Sequence, residues 1–207
     1  MITVWGRTNS ANVQKVIWLL DELGCAWNHV DAGGAAPAER QTALLEHNPN
    51  GLVPVVQDND LVLWESNAIL RHLARAQQNY DYYGVSAKQS SRIDQWLDWQ
   101  QCTLWPPMMP WFLALARTPP EQRDYDDINS KHHATLRNFE ILEDQLTPGN
   151  YIIGPDLTLA DIALGPFIHR WFTFSDKAKD VQPRLYELYC LYKRRTPYLK
   201  RVASQPF

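Results

Sequence analysis

Two clusters of polar side chains in the first third of this 207-residue chain are spaced for chemistry. One is Thr8-Asn9-Ser10-Ala11-Asn12, where hydroxyl and amide groups precede an apolar run at helical spacing (Val13, Val16, Ile17, Leu20, Leu23) that Gly24 stops. The other is Glu65-Ser66-Asn67, followed at once by Ala68-Ile69-Leu70. Small polar and acidic residues in that place cap a helix, and the free N–H groups of a helix start attract a carboxylate. Between the clusters stands Val53-Pro54. Proline donates no backbone hydrogen bond, so the pair belongs at an edge or at the start of a strand, where unpaired backbone groups can take an extended peptide. A strand edge, an anion-attracting helix start and the Glu65 carboxylate together suit a small peptide that carries both an amine and a carboxylate.

The surrounding elements must hold these groups together. Ile2 to Trp5 and Trp27 to Val30 read as short strands, and Glu39 to Glu46 as a short helix after a Gly/Pro-rich loop. Leu52 to Val56 and Leu61 to Trp64 flank Asp58-Asn59-Asp60, a hairpin pattern, and Glu65 to Ala76 continues as a helix. The order β-α-β-α-β-β-α matches the thioredoxin fold, and its strand-helix-strand opening implies a right-handed crossover with parallel first strands. Residues 77–88 lack a period and read as a linker, so the expected organisation is a 1–76 α/β thioredoxin-like domain followed by an all-α domain over 89–207. In the second part, Ile93, Trp96, Leu97, Gln100 and Leu104 form a helical stripe broken near Pro106-Pro107, and Ile128, His132, Leu136, Phe139, Leu142 and Leu146 form another. Thr158 with Asp161 has capping-box spacing, with Leu157 and Ile162 placed for the hydrophobic staple. Two helices, about Gln182 to Arg194 and Pro197 to Ala203, follow, and their Lys193, Arg194, Arg195, Lys200 and Arg201 read as a solvated basic face.

Composition narrows the class. A net charge of −3 and a pI near 6.1 give no general attraction to nucleic acid. No window is apolar enough for a membrane span, and Met1 to Trp5 do not open a signal peptide. Cys25, Cys102 and Cys190 are far apart and odd in number, which predicts a reducing, cytoplasmic setting. The six histidines show no metal-ligand spacing, so no metal is expected.

Taken together, Asn48-Pro49-Asn50-Gly51-Leu52-Val53-Pro54-Val55, Glu65-Ser66-Asn67-Ala68-Ile69-Leu70 and Thr158-Leu159-Ala160-Asp161-Ile162 resemble the cytosolic glutathione transferases, with similarity to their theta-, delta- and Nu-like serine or asparagine classes. The resemblance spans nearly the whole chain. It implies a homodimeric transferase that uses glutathione as co-substrate and conjugates its thiolate to small hydrophobic electrophiles. Val53 would pair with the cysteinyl backbone ahead of Pro54, which is normally cis in the family, and Glu65 and Ser66 would hold the γ-glutamyl amine and carboxylate. The electrophile site would come from Trp105, Met108, Trp111 and Phe112. The dimer would use the aromatic surface of the Ile93–Trp96–Trp99 helix.

A free thiol has a pKa of about 8.5, and each unit by which a site lowers it takes about 1.4 kcal/mol of thiolate stabilisation. Ser10 and Asn12 both stand where serine- or asparagine-type relatives place the residue facing sulfur, and either could instead cap the helix that follows. The loop holds no cysteine or tyrosine. Many relatives carry a basic residue where this chain has Leu52, close to the glycyl carboxylate, and Arg40 or His47 are the candidates to replace it. Rival readings are a glutathione-dependent peroxidase or disulfide reductase, in which Asn12 matters rather than Ser10, and a non-catalytic binding module on the same fold.

Overall fold

The four apolar runs of the first third pair into one sheet of order β2-β1-β3-β4 in a computed structural model that describes residues 1–175 and 178–207. β1 (Ile2–Trp5) lies parallel to β2 (Trp27–Val30) in the register Ile2↔Trp27 to Trp5↔Val30. It runs antiparallel to β3 (Val55–Asp58), which turns through Asn59-Asp60 into β4 (Leu61–Trp64). The third strand therefore begins at Val55 rather than Leu52, because Pro54 cannot donate to the ladder. Helix α1 (Ala11–Glu22) is buried without a break from Val13 to Leu20, and α3 (Ser66–Ala76) packs beside it. Helix α2 (Ala38–His47) buries only Leu44, against Ala32 and Val55.

The chain divides into two compact units, Met1–Val85 with Lys193–Phe207, and Ser86–Tyr192. The tail thus groups with the first unit, where a helical domain running to residue 207 had been expected. Electrostatics at the end of α1 explain it. Arg195 holds Glu22 through two bonds of 2.7 and 2.6 Å, and Arg201 holds Asp21 at 2.6 Å while its guanidinium sits 4.9 Å above the Trp27 ring. Tyr198, in the short helix Thr196–Tyr198, lies edge-on against Trp18 at 4.7 Å. The expected solvated basic face is in part a set of ion pairs. The expected linker also carries structure: helix α4 (Tyr80–Tyr83) buries Tyr83 under the Arg75 guanidinium, 4.7 Å from its ring.

The second unit begins with α5 (Ala87–Trp99), whose N-cap Ser86 accepts from the Gln89 N–H. A π-helical turn, Gln100–Leu104, joins it to α6 (Trp105–Arg117). Pro106 and Pro107 cannot donate to the carbonyls one turn earlier, so the ladder widens there. The carbonyl of Thr103 instead accepts from Asn138 Nδ2 at 2.9 Å, across from α7 (Tyr125–Gln145). Helix α8 (Leu159–Phe174) is buried all round from Leu159 to Trp171. At its start Asp161 Oδ2 accepts from the Thr158 N–H and hydroxyl, both at 2.9 Å, while Oδ1 accepts from Ile152 N at 3.0 Å and Tyr192 OH at 2.9 Å. After the short α9 (Ala178–Val181), α10 (Pro183–Lys193) is capped from a distance: Glu143 of α7 accepts from Arg184 N and Leu185 N at 3.1 and 2.7 Å.

Two expectations about apolar residues in this unit are corrected. Met108, Trp111 and Phe112 are buried, exposed by 0, 1 and 3%. Trp111 packs 5.3 Å from Trp171 and Phe112 5.4 Å from Phe174; only Trp105 of the four is half-buried. Ile93 is likewise 1% exposed, which leaves Trp96 and Trp99, in edge contact at 5.2 Å, as the partly exposed aromatics of α5. The helical stripes carried no information about which bulky residues the core would take.

Candidate glutathione site

The loop from β1 to α1 is pinned on every side. Gly6 donates to Val30 O at 2.9 Å, and its carbonyl meets His29 Nε2 at 2.7 Å. A Cβ at Gly6 would meet Val13 Cγ2 at 2.5 Å and Val53 Cβ at 3.2 Å, at a φ of +151°, so only glycine lets the strand pass between these two valines. Further along, Gln14 Nε2 holds Thr8 O at 3.1 Å, and Ser10 N donates to Arg7 O at 3.1 Å. Ser10 is the N-cap residue by backbone, with φ −77° and ψ 126°, yet its side chain makes no capping bond. The hydroxyl therefore stands unspent at the helix start, where free N–H groups and the helix dipole favour negative charge.

Asn12 is engaged elsewhere. Its Oδ1 accepts from Ser66 Oγ at 3.3 Å, so the first turn of α1 is tied to the first turn of α3. Ser66 in turn accepts from Lys15 Nζ at 3.2 Å, and the same amine donates to Asn67 Oδ1 at 3.2 Å. Lys15 is fully buried, and burial pushes its amine well below the ordinary lysine value, with the Glu65 carboxylate pulling the other way. Glu65 stands exposed at the N-cap of α3 with φ +70°, a left-handed conformation uncommon for a side chain of its size. Ser66 and Asn67, by contrast, are buried.

Across the sheet end, Val53-Pro54 is a cis peptide, and Val53 precedes the first ladder pair, Val55↔Trp5 and Val55↔Trp64. Its backbone thus lies outside the strand pairing. The Asn48 side chain shapes the turn before it, donating to Leu52 O at 2.8 Å and accepting from Asn50 N at 3.0 Å. Leu52 is 65% exposed. Of its expected substitutes, Arg40 donates to Asp31 O at 3.3 Å, and His47 packs edge-on to Trp5 at 4.8 Å. Arg7 is also placed near the strand start. A methyl built on Gly33 would meet Arg7 Nη1 at 3.3 Å and Val53 Cγ1 at 3.0 Å, so the guanidinium flanks the strand start.

The structure thus joins Asn12 to Ser66, the residue after Glu65. It adds Lys15, Asn67 and Arg7, which sequence reasoning missed. One signal for Lys15 was legible: Asn12 and Lys15 are three residues apart and so share a helix face. What they face on α3 was not. Among the described residues no group of His, Cys, Asp and Glu could hold a metal ion, and no helix is long and apolar enough to cross a membrane.

Comparison with known proteins identifies the family. The family model "Glutathione S-transferase, N-terminal domain" matches residues 1–75, and "Glutathione S-transferase, C-terminal domain" matches residues 134–189. The chain is 37% identical over 174 residues to glutathione S-transferase GstB of Escherichia coli K12, covering 83% of this chain and 84% of that one. Among solved structures it resembles the theta class glutathione S-transferase of Xanthomonas axonopodis pv. citri with glutathione bound, at TM-score 0.86 and 34% identity over 99% of this chain and 98% of that one. Glutathione transferase F2 of Populus trichocarpa shares the fold at TM-score 0.86 and 20% identity, over 97% and 96% of the two chains. The chain belongs to the glutathione S-transferase family.

Proposed function

We propose that the first unit binds glutathione as co-substrate and that the Ser10 hydroxyl stabilises its thiolate for attack on a small apolar electrophile. The supporting observation is the Ser10 side chain, which sits at the start of α1 and spends no hydrogen bond on capping it. Asn12 accepts from Ser66 through its carbonyl oxygen, which leaves its amide N–H groups as the rival donor to sulfur. The unpaired backbone at Val53 receives the cysteinyl group. Glu65 and Ser66 hold the γ-glutamyl amine and carboxylate at the N-terminus of α3, and Arg7 rather than Arg40 answers the glycyl carboxylate. Trp105, half-buried at the start of α6, remains the aromatic candidate for electrophile contact.

Once formed, the thiolate attacks the electrophilic carbon and displaces its leaving group, or adds to an activated double bond that then takes up a proton. The protein's part is to bind, orient and lower the thiol pKa. Ser10→Ala is expected to raise the pKa of bound glutathione by about one to two units, equivalent to about 1.4–2.8 kcal/mol, with little change in affinity. Thiolate ultraviolet absorbance followed against pH in the wild type, Ser10→Ala and Asn12→Ala decides it. A titration that moves with Asn12 and not with Ser10 assigns the sulfur to Asn12 and favours the peroxidase or reductase reading.

We further propose a homodimer working in the reducing cytoplasm. Supporting it are Trp96, Trp99 and the 49% exposed Ile141, which border a cavity of about 550 Å³ in the helical unit. The three cysteines are all free.

A further inference from the structure

We propose that Lys15 is a positioning residue of the glutathione site, setting the Ser66 hydroxyl as a donor toward the γ-glutamyl carboxylate. The inference rests on the glutathione reading above and extends it to a residue inside α1.

Three observations carry it. First, Lys15 is fully buried, and its Nζ donates to Ser66 Oγ and Asn67 Oδ1, both at 3.2 Å. These are the first two residues of α3, so one amine holds the start of the carboxylate-binding helix. Second, a serine hydroxyl has one proton and two lone pairs. With Lys15 occupying a lone pair, the Ser66 proton is directed away from the amine, and here it goes to Asn12 Oδ1 at 3.3 Å. A ligand carboxylate arriving at this helix start is a stronger acceptor than an amide oxygen and takes over that proton. Third, a carboxylate neighbours the amine. Glu65, the residue before Ser66, is the carboxylate that acts on Lys15, and it is the group assigned to the ligand's amine. The amine and carboxylate of the γ-glutamyl group thus meet Glu65 on one side and the Lys15–Ser66 pair on the other.

This arrangement predicts selectivity that a purely structural lysine would not supply. Lys15→Met keeps the length and apolar stem of the side chain and removes the donor. Calorimetric titration would compare wild type and variant on three tripeptides: glutathione, its glutaryl analogue lacking the amine, and its 4-aminobutyryl analogue lacking the carboxylate. The variant should lose about tenfold or more in affinity for glutathione and for the glutaryl peptide. Its affinity for the 4-aminobutyryl peptide should match the wild type's. An equal loss on all three peptides overturns the proposal and makes Lys15 a packing residue. Should Lys15→Met fail to fold, Lys15→Gln retains an N–H donor without the charge, and it should keep the selectivity pattern with a smaller loss. Wild-type protein that binds none of the peptides overturns the glutathione reading itself, and the proposal with it.

Discussion

At Glu65 the proposed ligand role and the backbone conformation pull in opposite directions. Its φ of +70° belongs to the region that favours glycine, and strained backbone of this kind typically costs about 1–3 kcal/mol. Glu65→Gly should therefore leave thermal stability unchanged or raise it, while removing the partner of the ligand's amine. Glutathione binding should weaken by about 1–3 kcal/mol, the range for a lost charged hydrogen bond. Paired melting curves and calorimetric titrations test both signs. A variant that loses stability and keeps affinity would make Glu65 a helix cap alone. Gly6 makes the complementary case. With Val13 Cγ2 only 2.5 Å from a built Cβ, Gly6→Ala must displace either α1 or Val53, and it should depress both stability and glutathione affinity.

At the level of elements, helix ends are held by carboxylates whose location differs. Asp161 is local to α8 and accepts four hydrogen bonds while fully buried. Burial pushes its carboxyl up, and those hydrogen bonds oppose the shift. Asp161→Ala strands several buried donors at once, so a loss of more than about 2 kcal/mol in chemical denaturation is expected. Glu143 caps α10 from another helix, and Glu143→Leu should cost about 1–2 kcal/mol through the same two orphaned N–H groups. The capping box was legible from Thr158 and Asp161 because both partners lie within one turn. Glu143 was not, since 41 residues separate it from Arg184.

Across the whole molecule, the tail is fastened to the first unit by charge, which gives stability an acid limb. Burial raises the Asp21 carboxyl, but hydrogen bonds from Arg201 and Trp27 and the charge of Arg201 outweigh it, so its pKa is lowered in the folded protein. The unfolded chain then binds the proton more readily below its carboxylate pKa of about 3.9. The contribution is present above that value and is lost as pH falls through the lower folded value. Asp21→Asn should accordingly narrow its stability gap from wild type on acidification from pH 6 toward pH 2, as urea denaturation at each pH would show. A gap that stays constant would assign Asp21 a pH-independent role. For the proposed dimer, sedimentation at micromolar concentration should give about twice the 24.0 kDa chain mass, and Trp99→Glu should lower it toward the single chain.

The sequence by itself determined the elements whose signals are local. Turn residues and β-branched runs marked the hairpin, helical periodicity marked α1 and α3, and a proline and two polar clusters marked the site. It also pointed to the family through three short motifs. Only the tertiary structure decided which polar groups meet. Lys15 and Ser66 are 51 residues apart in sequence and 3.2 Å apart in space. The same holds for burial: Met108, Trp111 and Phe112 read equally well as pocket or core, and only the packing of α6 against α7 and α8 assigns them to the core. Arg195 and Arg201 read as solvent-facing until α1 supplied Glu22 and Asp21. In each case the partner comes from a distant segment, and no local pattern encodes the distance between two side chains that the fold alone brings together.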